Sequence, residues 1–359
     1  MKDGQPWGID LVDGTLDKKY TYTYSGNGVR VFVFDTGIMS SHDEFGTGRV
    51  TCGVNVVVGE DCEDLKGHGT HVAATVGGKT YGLARKVSLV NVKVLDKNGT
   101  GTVSKVLEGL EYVVLQKLLS PSTPMIIGLS LGSNFSSTFN DAVTRCVDAG
   151  IIVVAASGNE QVDACTTSPS SAEKAITVGG IDVALLRPIW SNYGDCVNIY
   201  APAVAILSAT YDSRDRKKTA YRTGTSMAVP HVVGVIAMYL EWNPRLTPDD
   251  INEYLLLDST LGILLFLDLD DNDDDDDANN LLISSAKIQT YVPKTLAPTL
   301  APVRITSPSS ESPASPQLEQ PSCGGLLTPC LTDADCCFSC LSFNAFNLGI
   351  WGQRCFWFG

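Results

Sequence analysis

The chain has 359 residues, 44% of them hydrophobic and 18% charged, which suffices for one large core plus appendages. No apolar run approaches the roughly 20 residues of a membrane span, and a formal charge of −14 without a basic cluster argues against a nucleic-acid partner. The N-terminal MKDGQPWGIDLVDG lacks the apolar centre of a signal peptide, yet six of the 11 cysteines crowd between Cys323 and Cys355. That density belongs to the disulfide scaffolds of secreted proteins, so an extracellular protein is expected, its leader absent from this chain.

In chain order, VRVFVFD (29–35) reads as a buried strand closed by Asp35. LKGHGTHVAAT follows, with His68 between glycines and a helix beginning at THVAAT. VSLVNVKVL (87–95), MIIGLSL (125–131) and GIIVVAAS (150–157) read as further buried strands. Between them, VSKVLEGLEYVVLQKLL (103–119) and FNDAVTRCVDA (139–149) carry helical apolar spacing. Strands alternating with helices predict an α/β fold, a parallel sheet covered on both faces whose ligands collect at the carboxyl ends of the strands.

Composition divides the chain into three segments. Residues 1–287 mix apolar runs with Gly-rich turns and read as the globular domain. Within it, DLDDNDDDDDANN (268–280) holds eight aspartates and no cation, a solvated surface insertion or a loose Ca²⁺ binder. Residues 288–322 carry seven of the 17 prolines among Ser and Thr, an extended linker. Residues 323–359 form a small cysteine-rich module.

The chemistry turns on RTGTSMAVPH (222–231). A Gly-Thr-Ser is common in turns, so Ser226 is a nucleophile only if the chain supplies a base and a group to orient it. Only four histidines are present, at 42, 68, 71 and 231. An aspartate that closes a buried strand needs a hydrogen-bonding partner. An imidazole at His68 whose Nδ1–H meets Asp35 satisfies it, fixes the tautomer, and leaves the second nitrogen to take the proton of Ser226.

DTGI at Asp35, GHGTHVA at His68 and GTSMAVPH at Ser226, in that order, resemble the signatures of the subtilisin-like serine peptidases. PWGID, YGLARKVSLVNVKVLD and IWSNYGDCVNIYAP are most similar to the proteinase K branch, and the resemblance covers nearly all of residues 5–287. It implies a three-layer α/β/α fold with a mainly parallel central sheet, and a serine endopeptidase working through an acyl-enzyme. Asp35 would orient, His68 act as general base and acid, Ser226 attack, and Asn159 in AASGNE stabilise the oxyanion beside the Ser226 amide. His42, His71 and His231 are then structural. An extended peptide or protein substrate would pair with Gly99, Thr100 and Gly101 on one side and Ser130, Leu131 and Gly132 on the other. Leu131, Gly132, Ala156 and Gly158 would line the pocket before the cut; without an acid there, apolar or aromatic residues are expected. Val103 stands where the branch often has an aromatic.

The resemblance also implies a Cys165–Cys196 disulfide. Cys62 matches another family cysteine whose usual partner position is Lys97 here, so Cys52 is the better candidate, leaving Cys146 as a buried thiol. A structural Ca²⁺ would be held by Glu173, Ala175 and Asn198, with an amide in place of the usual acid. No cofactor is needed for the chemistry. The family's N-terminal pro-segment is expected to be absent from this chain. The cysteine order of the tail resembles inhibitor-cystine-knot modules. Its aromatics (Phe338, Phe343, Phe346, Trp351, Phe356, Trp357, Phe358) either fill a tiny core or form a platform for polysaccharide or a cell surface. The rival to an enzyme is a catalytically silent scaffold that binds through this tail.

Overall fold

The computed structural model describes residues 6–265 and 280–291. Most of the aspartate run, the rest of the linker and the cysteine-rich module lie outside the described residues. Among the described residues the principal sheet has nine strands. From one edge they are Thr260–Leu261, Leu281–Leu282, Ile199–Pro202, Ile176–Ile181, Ile152–Ala156, Met125–Leu129, Arg30–Asp35, Ser88–Lys93 and Val50–Asn55. All neighbours are parallel except the first pair. The four strands expected from the apolar runs are four adjacent members of this sheet.

Period-two alternation in Arg30–Asp35 shows how both faces are covered. Val31 and Val33 join the core formed with the helices His68–Gly77 and Thr225–Trp242, which pack on each other. Phe32 and Phe34 point the other way, toward the helix Val103–Leu119: Phe32 meets the ring of Tyr112, and Phe34 lies against Gly109. A Cβ on Gly109 would stand 2.7 Å from the Phe34 ring, so the bare backbone allows this close approach. The helix Ser137–Asp148 packs beside Val103–Leu119 and starts two residues earlier than the apolar spacing suggested, capped by the Ser136 hydroxyl. Thr102 caps Val103–Leu119 in the same way.

The globular body extends past residue 287, where the linker was expected to begin. Ile288 is fully buried, and Tyr291 packs its ring on Trp242 at 4.9 Å while its hydroxyl donates to Asp258 at 2.8 Å. The apolar and hydrogen-bonding surface offered by Trp242 and Asp258 outweighs the local Pro/Thr composition. The described residues contain no helix long and apolar enough to cross a membrane.

Cys52–Cys62 and Cys165–Cys196 are disulfides, with Cα separations of 6.0 and 5.3 Å. Cys146 is a buried free thiol, and burial pushes its pKa up to about 12, which makes it inert.

Candidate active site

Asp35 ends the strand Arg30–Asp35, third from the Val50–Asn55 edge of the sheet, and is fully buried. Both its oxygens lie 2.8 Å from Nδ1 of His68, and one also accepts the Thr36 amide at 2.7 Å. His68 opens its helix, following Gly67 in the left-handed region at φ +83°. The helix can meet the strand end only because the next residue is Gly69: a Cβ there would lie 2.1 Å from the Gly37 carbonyl oxygen. With Nδ1–H donating to the carboxylate, Nε2 is the basic nitrogen of a neutral imidazole. Burial pulls the His68 pKa down, but the charge and hydrogen bond of Asp35 outweigh it and leave the group above its usual value.

Ser226 is the second residue of the helix Thr225–Trp242, so its amide belongs to the first turn, which the helix itself leaves unpaired. Its hydroxyl donates to the Ser130 carbonyl at 3.0 Å, and the Ser130 hydroxyl donates back to the Ser226 carbonyl at 3.0 Å. The serine is thus held against the carboxyl end of Met125–Leu129, and its hydroxyl is not hydrogen-bonded to His68. Asn159 is exposed beyond the end of Ile152–Ala156. Its Oδ1 accepts the Thr225 amide at 2.8 Å, which turns its Nδ2 donors away from that contact.

Two depressions of about 400 Å³ each meet at His68. Gly99, Thr100 and Gly101 line one, facing Ser130, Leu131 and Gly132, as their expected pairing with an extended chain requires. Val103, Leu95, Val106 and Phe139 give it an apolar wall, and among the described residues no carboxylate lines it. Ser226, Asn159, Gly224, Thr223, Met227 and Arg222 line the other with His68. Ala156 and Gly158 line neither: Ala156 is buried, and the Gly158 amide donates to the Thr225 hydroxyl at 3.3 Å.

Several residues that shape the site are not among those singled out from the sequence. Asp64, fully buried, accepts from the Thr36 hydroxyl at 2.8 Å and from the amides of Lys66, Gly67 and Thr70 at 2.8–2.9 Å. It ties the residue after Asp35 to the turn that presents His68. Its place four residues before His68 in DLKGH was the available clue. Lys93 is fully buried opposite Asp35 in the sheet register, where Nζ donates to the Thr36 carbonyl and pairs with Glu60 at 3.0 Å. Arg222 closes a hairpin strand, Thr219–Arg222, whose partner is Ile206–Ala209.

The other histidines are structural in their contacts. Nε2 of His71 lies 3.0 Å from the Ile206 carbonyl, Nδ1 of His231 2.8 Å from that of Met227, and Nε2 of His42 2.9 Å from that of Lys218. Burial lowers the pKa of His71 to about 3 and that of His231 to about 4.

Glu173, Ala175 and Asn198, the residues expected to hold calcium, flank the start of the strand Ile176–Ile181. Oδ1 of Asn198 accepts the Thr177 amide at 2.7 Å, and Glu173 is exposed. Among the described residues no three His, Cys, Asp or Glu side chains are grouped to hold a metal.

The chain matches the Subtilase family over residues 26–282. It is similar to the extracellular serine proteinase of Thermus sp. (strain Rt41A), 44% identical over 261 residues, or 72% of this chain and 62% of that protein. It is also similar to the subtilisin-like serine protease Rho m 2.0101 of Rhodotorula mucilaginosa, 41% identical over 67% of this chain and 73% of the relative. The crystal structure of a cold-adapted subtilisin-like serine proteinase matches with a TM-score of 0.70 at 35% identity, covering 79% of this chain and 98% of that one. The chain spans between 47% and 62% of the length of several curated relatives. With the Asp35–His68 pair, the serine at a helix start and the nine-strand sheet in these positions, the chain belongs to the subtilase family.

Proposed function

We propose that the protein is a serine endopeptidase that cleaves peptide bonds through an acyl-enzyme. The observation that carries this reading is the Nδ1 contact of His68 with both oxygens of Asp35 at 2.8 Å, beside a serine that opens a helix. A change in the Ser226 χ1 rotamer releases its hydroxyl from the Ser130 carbonyl toward Nε2 of His68. His68 takes the proton as the oxygen attacks the substrate carbonyl, and Asp35 stabilises the resulting imidazolium. The tetrahedral oxyanion accepts from the Ser226 amide and Asn159 Nδ2. His68 then gives its proton to the departing amine, and water repeats the sequence in reverse on the acyl-serine.

The substrate lies extended between residues 99–101 and 130–132, and the apolar wall, without a carboxylate among the described residues, supports apolar or aromatic side chains on the acyl side of the cut. Secretion is part of the same proposal, supported by the extracellular relative and the two disulfides. Binding of polysaccharide or a cell surface by the aromatic tail is a separate proposal that rests on its sequence alone. Retention of the full chain, but not of a chain ending at Ala297, on insoluble polysaccharide or cell walls tests it.

Labelling by a fluorophosphonate tests the catalytic reading. The full chain should be labelled and Ser226→Ala should not; equal labelling of both rejects Ser226 as the nucleophile.

A further inference from the structure

We infer that Arg222 makes the enzyme selective for an acidic side chain just after the scissile bond, on the leaving-group side of the cut. The inference rests on the peptidase reading above. The groove between 99–101 and 130–132 has two backbone edges and suits the acyl half of an extended substrate. The chain that continues past Ser226 and His68 enters the second depression, whose only charged side chain among the described residues, besides any charge on His68, is Arg222.

That guanidinium is held but not neutralised. One Nη donates to the Lys66 carbonyl at 3.2 Å and lies 3.5 Å from the Thr210 hydroxyl, while Nε is buried without a hydrogen-bond partner. No carboxylate pairs with it among the described residues. Lys66, which lines the neighbouring groove, spends its ammonium on the Asn98 carbonyl and likewise has no acidic partner there. Two cations without counter-charges therefore flank the reaction centre of a protein whose net charge is −14. Arg222 is near enough to His68 to pull the imidazole pKa down. A substrate carboxylate can pair with the half-exposed guanidinium, which the Lys66 carbonyl holds in place.

The test uses internally quenched peptides that share one acyl half and carry Glu, Ala or Lys at the first and second positions after the cut. The full chain should cleave the Glu peptides about three- to tenfold better than the Lys peptides in kcat/KM, as a partly screened ion pair allows. High salt should compress that ratio. Arg222→Lys should keep the order and Arg222→Glu should reverse it. Because the ratio is read within each variant after counting labelled active sites, partial misfolding does not alter it. A flat profile in the parent chain, or the same order in Arg222→Glu, overturns the inference while leaving the peptidase reading intact. Absence of both labelling and cleavage in the parent chain rejects the peptidase reading, and this one with it.

Discussion

The Thr225 amide donates to Oδ1 of Asn159 at 2.8 Å, and the Thr225 hydroxyl lies 3.1 Å from the same oxygen. The residue before Ser226 thereby aims Asn159, so the proposed nucleophile and the proposed oxyanion donor share one anchor. Asn159→Ala should lower kcat by about 10²–10³-fold with little change in KM, the loss that removing such a donor causes in a subtilisin. Thr225→Ala keeps the amide contact and should cost less, about tenfold. Steady-state kinetics on a soluble peptide separates the two; a change confined to KM in Asn159→Ala would assign that side chain to binding instead.

The sequence carried the parts of the site that are local. Asp35, His68 and Ser226 each sit in a motif that names its own neighbours, and the apolar runs around them marked four of the nine strands. Arg222 was not legible, because nothing in TAYR says that the hairpin carries its last side chain to the side of His68. Asp64 was passed over for the same reason: its partners include Thr36, 28 positions away. Ile288–Tyr291 reads as linker in the sequence because its partners, Tyr24, Trp242 and Asp258, are far away along the chain. Short strands such as Thr260–Leu261 and Leu281–Leu282 have no periodicity to read; pairing alone defines them.

The activity profile should have its acid limb above the unperturbed histidine value of about 6.5, since protonated His68 cannot accept the serine proton. Burial lowers this pKa, Asp35 and Asp64 raise it, and Arg222 opposes them, with the raising influences prevailing. Arg222→Glu removes a cation and adds an anion, so its acid limb should move to higher pH. Asp64→Asn should move it lower. The pH dependence of kcat/KM measures both, and an unchanged limb in both variants would mean that another group governs it.

Stability should fall as the pH drops from about 6.5 toward 4. His71 and His231 have folded pKa values of about 3 and about 4, below the unfolded value, so between those limits the unfolded chain binds more protons. Their contribution is fully present above about 6.5 and is lost as the pH falls through the folded values. His68, raised in the fold, acts in the opposite sense, adding stability that is lost as the pH rises through its folded value. Urea midpoints of Ser226→Ala, which cannot digest itself, at several pH values from 7.5 to 4 report the balance. His231→Gln should flatten the slope, and an equal slope would show that His231 titrates normally.

The calcium site stays a proposal: the Asn198 amide oxygen already serves the Thr177 N–H, which leaves it one lone pair for an ion. If its second lone pair joins Glu173 and the Ala175 carbonyl on an ion, millimolar Ca²⁺ should raise the melting temperature of Ser226→Ala more than Mg²⁺ does. Asn198→Ala should abolish the difference. Equal melting temperatures with Ca²⁺ and with a chelator would reject the site.

The final prediction concerns where the catalytic body ends. Cutting the chain after Lys287 removes the buried Ile288, the Tyr291 ring packed at an angle against Trp242 and Tyr254, and its hydroxyl bonds to Asp258. It also removes the Tyr291 carbonyl that accepts from Tyr24 at 2.5 Å and the Gln289 carbonyl that accepts from Thr23 at 3.0 Å, both bonds to the N-terminal segment. Losing a packed aromatic side chain alone costs about 3 kcal/mol, or roughly 6–12 °C in a domain of this size. A chain ending at Lys287 should therefore melt at least that much lower than one ending at Ala297, with Tyr291→Ala in the full chain reproducing most of the loss. The chain ending at Ala297 should keep the parent turnover on short soluble peptides, since among the described residues none that lines either depression lies beyond Met227. Equal melting of the two truncated chains would show that the Trp242–Tyr254–Tyr291 cluster adds nothing. A large loss of turnover at Ala297 would mean instead that residues beyond it support the active site.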